Sequence, residues 1–133
     1  MIIKKLPDTD LEAAKKIYCE SFNKEYQETT IEPSGIILGA YLDNLLIGIV
    51  QIDFLNNLFE NKKIAYINSL CIKKEYRHQG YGDQLLKTCI KISQENEANI
   101  INLTSNKKRI YAHMLYQKND FESIDKFFFT KNL

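Results

Sequence analysis

The segment from Leu70 to Ile92 constrains this chain most, because it joins an apolar strand end to an amphipathic helix through a loop with two glycines. Leu70-Cys71-Ile72 reads as the end of a strand, Lys73-Lys74-Glu75-Tyr76 as a charged connector, and Arg77-His78-Gln79-Gly80-Tyr81-Gly82 as the loop. From Asp83 onward, Leu85, Leu86, Cys89, Ile90, Ile92 and Ser93 recur at helical spacing and predict a helix. The first amides of a helix have no intrahelical acceptor, so a strand delivered to a helix in this way presents N–H groups to an anion. A dinucleotide fingerprint needs a third small residue where Leu85 stands, and a Walker loop needs a Gly-Lys-Ser/Thr ending that is absent. Taken alone, the two glycines also fit a turn that only lets strand meet helix.

The 133 residues suffice for one domain with a proper core, spanning 1–133, and are too few for two. With 18 basic and 17 acidic residues the net charge is +1, which implies no nucleic-acid partner and no membrane attraction. No apolar run is long enough to span a bilayer and Met1-Ile2-Ile3-Lys4-Lys5 lacks the order of a signal peptide, so a cytoplasmic location is expected. Cys19, Cys71 and Cys89 sit inside apolar patterns with no metal or disulfide spacing and read as small buried hydrophobes. His78 and His113 carry no ligand pattern, and no metal site is expected.

Ile2 to Leu6 reads as a strand stopped by Pro7. Thr9 and Glu12 have capping-box spacing for a helix with Leu11, Ala14, Tyr18 and Phe22 on one face. Asn23 to Gly35 is irregular, with room for one short helix. Ile36 to Leu42 and Leu45 to Leu55 form an antiparallel hairpin about Asp43-Asn44, and Asn56 to Lys63 is a polar connection. In the strand from Ile64 to Ile72, Ala65 and Ile67 are apolar on one phase of the alternation and Leu70 and Ile72 on the other. One buried face cannot take both sets without an extra residue near Asn68-Ser69, a bulge; a strand buried on both faces is the other reading. Ile100 to Thr104 is a further strand, Ser105 or Asn106 caps a helix to Lys118 with Tyr111, Met114, Leu115 and Lys118 on one face, and Phe121 to Thr130 gives one strand or two. The order predicts a mixed α/β (α+β) fold, largely antiparallel, with one parallel crossover.

The loop resembles the motif of the GNAT acetyltransferases: Arg or Gln, two residues, Gly, one residue, Gly or Ala, after an apolar strand end. Downstream, Asn106, Ala112, Leu115, Tyr116 and Phe121 match the same family's later pattern, so the motifs span residues 64 to 121. The resemblance implies a six- to seven-stranded sheet with a bulged, splayed central strand and about four helices. It implies an N-acetyltransferase that moves an acetyl group from acetyl-CoA to a primary amine of a small molecule or peptide by direct attack, with no metal. By the same resemblance Leu70, Cys71, Ile72, Arg77, His78, Gln79, Gly80, Tyr81, Gly82, Asp83 and Asn106 bind the cosubstrate. The loop amides then cradle the pyrophosphate, the Ile72 amide or its bulge neighbour bonds the thioester oxygen, and Asn106 holds the pantetheine arm. Tyr116 is the catalytic acid that protonates the CoA sulfur.

Acetyl transfer needs a neutral amine, a stabilised oxyanion and a proton for the leaving thiolate. The family glutamate of the bulged strand corresponds here to Asn68, so the base is left among Glu25, Glu28, Asp53 and water. Asn119-Asp120 replaces the usual glycine before Phe121, in a left-handed turn that Asn or Asp tolerates. Lys73-Lys74 and Lys107-Lys108-Arg109 fit either a phosphate-steering patch or a solvated face. Glutamates and a tyrosine between Asn23 and Gly35 fit either a cationic acceptor or a solvated loop. The short tail leaves a sheet edge to be covered, either by a second subunit through Phe127-Phe128-Phe129 in a homodimer or, in a monomer, with these rings in the core. The alternative function is a non-catalytic acyl-CoA-binding sensor or interaction module.

Overall fold

Asp43 and Asn44 both adopt positive φ, 46° and 66°, the backbone of a two-residue hairpin turn. They join β2 (Ile36–Leu42) to β3 (Leu45–Asn57) as the sequence predicts. The computed structural model describes every residue from Met1 to Leu133. Its remaining elements are β1 (Ile2–Lys5), α1 (Leu11–Phe22), β4 (Lys62–Ile72), α2 (Tyr81–Glu95), β5 (Ile100–Asn102) and α3 (Ile110–Lys118). One sheet has the order β1-β2-β3-β4-β5; its first four strands are antiparallel, and β5 joins parallel to β4 after the α2 crossover. No helix is long and apolar enough to cross a membrane.

The bulge is present. Ile49 pairs with Cys71 but Gln51 pairs with Asn68, so Ser69 and Leu70 together face Val50, and Ser69 takes a φ of 60°. The phase change places Ala65, Ile67, Leu70 and Ile72 in one core cluster with Leu85, Leu86, Cys89 and Tyr116. On the opposite face Ala14 and Ile17 of α1 pack on Tyr41, Leu46, Ile49 and Cys71.

Several expectations need correction. The sheet has five strands and three α-helices accompany it, fewer than the six to seven strands and four helices expected. Phe121 to Leu133 forms no strand: Ile124, Phe127, Phe128 and Phe129 are exposed, so no apolar burial offsets the entropy of ordering the segment. Asn56 to Lys63 is not a mere connection, because β3 and β4 stay paired out to Asn57 and Lys62. Residues 23–35 hold no helix. The Thr9–Glu12 capping box does not form; Asp10 and Glu12 instead accept hydrogen bonds from the hydroxyls of Tyr41 (2.6 Å) and Tyr26 (2.5 Å). In α3 the inward stripe is Ala112, Leu115 and Tyr116, whereas Tyr111 and Met114 face solvent. Both stripes have helical spacing, and only docking against the sheet chose between them. Neither Ser105 nor Asn106 caps α3, which starts after Arg109 with no side-chain cap.

Candidate active site

β5 pairs only with Ile64, Ala65 and Tyr66, so from Ile67 to Ile72 the outer edge of β4 has no neighbouring strand. The Lys73 N–H donates inward to the Ile47 carbonyl at 2.7 Å. Successive backbone groups of a strand alternate in direction, so the Ile72 amide faces the open edge, where the resemblance places the oxyanion donor. Where β4 and β5 splay apart, backbone groups of β4 line an edge that no strand covers, the place where the resemblance implies a cosubstrate groove.

At the end of this edge the loop turns into α2. His78 (φ 62°) and Gly80 (φ 88°) are left-handed, and the amides from His78 through Asp83 donate to no acceptor within the protein. A run of convergent free N–H groups at the positive end of a helix is an anion nest. A Cβ placed on Gly80 would meet nothing within 4 Å, so the glycine serves the backbone conformation and leaves the space above the amides open.

The loop side chains are mostly engaged elsewhere. Arg77 donates from Nε to the Ile72 carbonyl at 2.8 Å and from its guanidinium to Ser21 Oγ at 3.3 Å, bracing the end of β4 against α1. His78 stacks edge-on against Tyr111 at 4.8 Å, and Gln79 reaches back to the Glu75 carbonyl. Asp83 accepts from Asn119 Nδ2 at 2.8 Å and pairs with Lys87 at 2.6 Å and Lys118 at 3.7 Å. The bond from Asn119 and that from Lys87 hold its carboxyl below the usual range. Asn119 also bonds the Leu115 carbonyl, so this departure from the family pattern fastens α3 to the start of α2.

Tyr116 lies on the buried side of α3, 8% exposed. The helix ends beneath it with Phe121 N–H bonding the Tyr116 carbonyl and Asp120 N–H the Gln117 carbonyl, while Asp120 takes a φ of 66°. That is a Schellman ending, with its usual apolar contact made here by Phe121 and Tyr116, ring centroids 5.9 Å apart. Burial raises the Tyr116 phenol pKa against the opposing charge of Arg109, so the hydroxyl is protonated at neutral pH. Burial also pushes the Cys71 thiol up to about 11 and the Cys89 thiol up to about 12, so both stay uncharged. Asn106 is exposed; its Oδ1 accepts the Lys108 N–H at 2.9 Å, fixing the turn before α3 and leaving its Nδ2 to point elsewhere. Beside it, Ser105 Oγ is buried without a partner.

Two features escape sequence reasoning. Arg109, one residue of a basic run, folds back so that its guanidinium covers the Phe22 ring at 4.7 Å and its charge reaches Cys71 and Tyr116. On the α1 face a cavity of about 790 Å³ opens between α1, residues 29–35 and the bulge, with Ser34, Gly35, Gln51 and Ser69 in its wall. Glu25 and Glu28 are exposed outside it, whereas Asp53 touches Ser34 and Gln51.

The model of the acetyltransferase (GNAT) family matches residues 3–121. No curated protein matches the sequence. Among solved structures, a transcriptional regulator from Bacillus halodurans C-125 superposes with a TM-score of 0.86 at 20% identity, covering 98% of this chain and 99% of that one. An aminoglycoside acetyltransferase from an uncultured soil metagenomic sample, in complex with sisomicin, gives 0.80 at 18% identity, covering 98% and 96%. A predicted acetyltransferase with acetyl-CoA from Clostridium acetobutylicum gives 0.77 at 17% identity, covering 98% and 95%. At these identities the likeness is one of fold.

Proposed function

Because the chain belongs to the GNAT acetyltransferase family, we propose that it transfers an acetyl group from acetyl-CoA to a primary amine of a small molecule or peptide. The observation that carries this reading is the free amide run from His78 to Asp83 set at the end of the unpaired edge of β4. Those amides suit a pyrophosphate and the open edge of β4 at Leu70, Cys71 and Ile72 suits the peptide-like pantetheine arm, with Asn106, whose Nδ2 makes no hydrogen bond within the protein, proposed to hold that arm. The roles of Arg77, Gln79 and Asp83 are then positional: their side chains hold the loop whose backbone binds.

The amine lone pair attacks the thioester carbonyl, forming the C–N bond and placing the electron pair on oxygen. A preorganised amide at Ile72 or its bulge neighbour stabilises that oxyanion, a contribution of about 3 kcal/mol. The nitrogen loses its extra proton to water, collapse re-forms the carbonyl and breaks the C–S bond, and the thiolate takes the proton of the Tyr116 phenol, which is regained from solvent. The fold neighbour with sisomicin supports a small-molecule amine as acceptor.

The alternative, a non-catalytic acyl-CoA-binding module, draws support from Asn68, an amide in the bulged strand where the family often has a carboxylate. One experiment separates the two: calorimetric titration with acetyl-CoA and CoA, then thiol release against a panel of aminoglycosides, polyamines and lysine peptides. Binding followed by turnover is expected. Binding without turnover across the panel favours the module, and no binding removes both.

A further inference from the structure

Val50 and Ile52 of β3 point into the core under α2 and α3, so Gln51 and Asp53 stand on the opposite face, that of α1. Across the β3–β4 ladder Asn68 pairs with Gln51 and Tyr66 with Asp53, and directly opposed residues share a face. Four polar or aromatic side chains are thereby gathered beside the bulge. Asp53 is their centre: its Oδ1 accepts from Ser34 Oγ at 2.9 Å and Gln51 Nε2 at 3.0 Å, and its Oδ2 from Asn68 Nδ2 at 2.7 Å and Gln51 Nε2 at 3.1 Å.

Every one of these donors is neutral. The two ion pairs of the protein both fall on Asp83, so the charge of Asp53 meets no lysine or arginine. A partly buried carboxylate, oriented by dipoles but without a counter-ion, attracts a cation from outside. Asp53 is half-buried and stands behind the cavity wall: it is not itself a lining residue, but Ser34, Gly35 and Gln51 beside it line the 790 Å³ cavity that also reaches Ser69. At Gly35 a Cβ would sit 2.6 Å from Asp53 Oδ1 and 2.0 Å from the Ile52 carbonyl, so a side chain there would displace the carboxylate. Tyr66 adds a ring on the same face, a second surface that favours a cation.

We propose that Asp53 anchors a non-reacting ammonium group of the acceptor, which makes the substrate class an amine with a second positive charge: a diamine, a polyamine or an amino sugar. The inference rests on the acetyl-transfer reading. Asp53 lies two residues along β3 from the Gln51–Asn68 rung beside the bulge, about 7 Å. An extended five-carbon diamine spans that distance, with one ammonium on Asp53 and its other amine toward the bulge. The attacking amine gives its proton to water as the C–N bond forms, and Asp53 keeps the far charge in place.

The test uses the whole protein. Acetyl-CoA titration of the wild type decides the acetyl-transfer reading separately. Side-chain amide resonances of Gln51 and Asn68 are then followed by NMR during addition of 1,5-diaminopentane or of 1,5-pentanediol, its uncharged analogue. The diamine is expected to shift both resonances and the diol neither, with the response lost in Asp53→Asn. In the transfer assay Asp53→Asn should raise KM for the diamine at least about tenfold with kcat nearly unchanged, as loss of ground-state binding requires. Equal shifts with diol and diamine, no shift with either, or a fall in kcat at constant KM would overturn the assignment. The diamine–diol comparison on the wild type decides alone if Asp53→Asn does not fold.

Discussion

Tyr116→Phe separates the chemistry of this site from its architecture. The ring is 8% exposed, packs in the larger core cluster and contacts Phe121 at 5.9 Å, and these contacts survive removal of one oxygen. Nothing in the protein hydrogen-bonds the hydroxyl, so the roughly 1 kcal/mol that a typical internal hydrogen bond contributes is not there to lose. Unfolding free energy should therefore change by less than about 0.5 kcal/mol. A general acid contributes about 10²- to 10⁴-fold, so kcat should fall at least ~100-fold, close to 2.7 kcal/mol of barrier. The dissociation constant for acetyl-CoA should stay the same, because the proton is needed only as the C–S bond breaks. Denaturant unfolding, calorimetry and thiol release on one preparation read all three quantities. An unchanged kcat refutes the acid role; a stability loss well above 1 kcal/mol refutes the account of the hydroxyl as unpartnered. The pH profile adds a sign. The phenol donates only when protonated and burial raises its pKa, so its alkaline limb lies above the ordinary tyrosine value of about 10 and is missing from the variant.

Asp83→Ala should cost about 1 kcal/mol by releasing Asn119 and Lys87. The carboxyl pKa is lowered in the folded state, so this stability is present above the unfolded value near 4 and is lost as pH falls through the folded one; unfolding curves of variant and wild type should converge in acid, and a constant gap would count against the ion-linked pin. With a disulfide reagent at pH 8 the native protein should titrate Cys19 readily and Cys71 and Cys89 only after denaturation, since burial holds the latter two as thiols; rapid reaction at all three would show that the core opens. Phe127, Phe128 and Phe129 are 91, 78 and 87% exposed, an apolar patch of the kind that draws a partner. Light scattering should show mass rising with concentration and a triple serine variant staying monomeric; a wild-type monomer at every concentration would dispose of the homodimer.

Much of the site's backbone is legible in the residues themselves. The phase change between Ile67 and Leu70 admits the bulge that the structure shows, the glycine pair and apolar stripe after Arg77 predict a strand that passes through a loop into a helix, and Asp43-Asn44 predicts a hairpin. Less legible is which side chains the site uses. Arg77 looks free in the sequence and is bound to Ile72 and Ser21; Arg109 looks like one of three surface cations and lies over Phe22. Asp53 is one of several carboxylates in the sequence, and its distinction is that Ser34, Gln51 and Asn68 reach it while no cation does.

The division has a physical cause. Periodicity, left-handed turn residues and helix ends depend on atoms a few residues apart, so the strands through β5, helices α1 and α2 and the loop amides follow from the sequence alone. The face that α3 buries, the missing strand after Phe121 and the surroundings of Asp53 depend on registers accumulated across the sheet. Ser34 meets Asp53, and Asn119 meets Asp83, only once those registers are set. Local energies of the order of 1 kcal/mol decide the first set, and long-range packing and charge pairing, which no short window contains, decide the second.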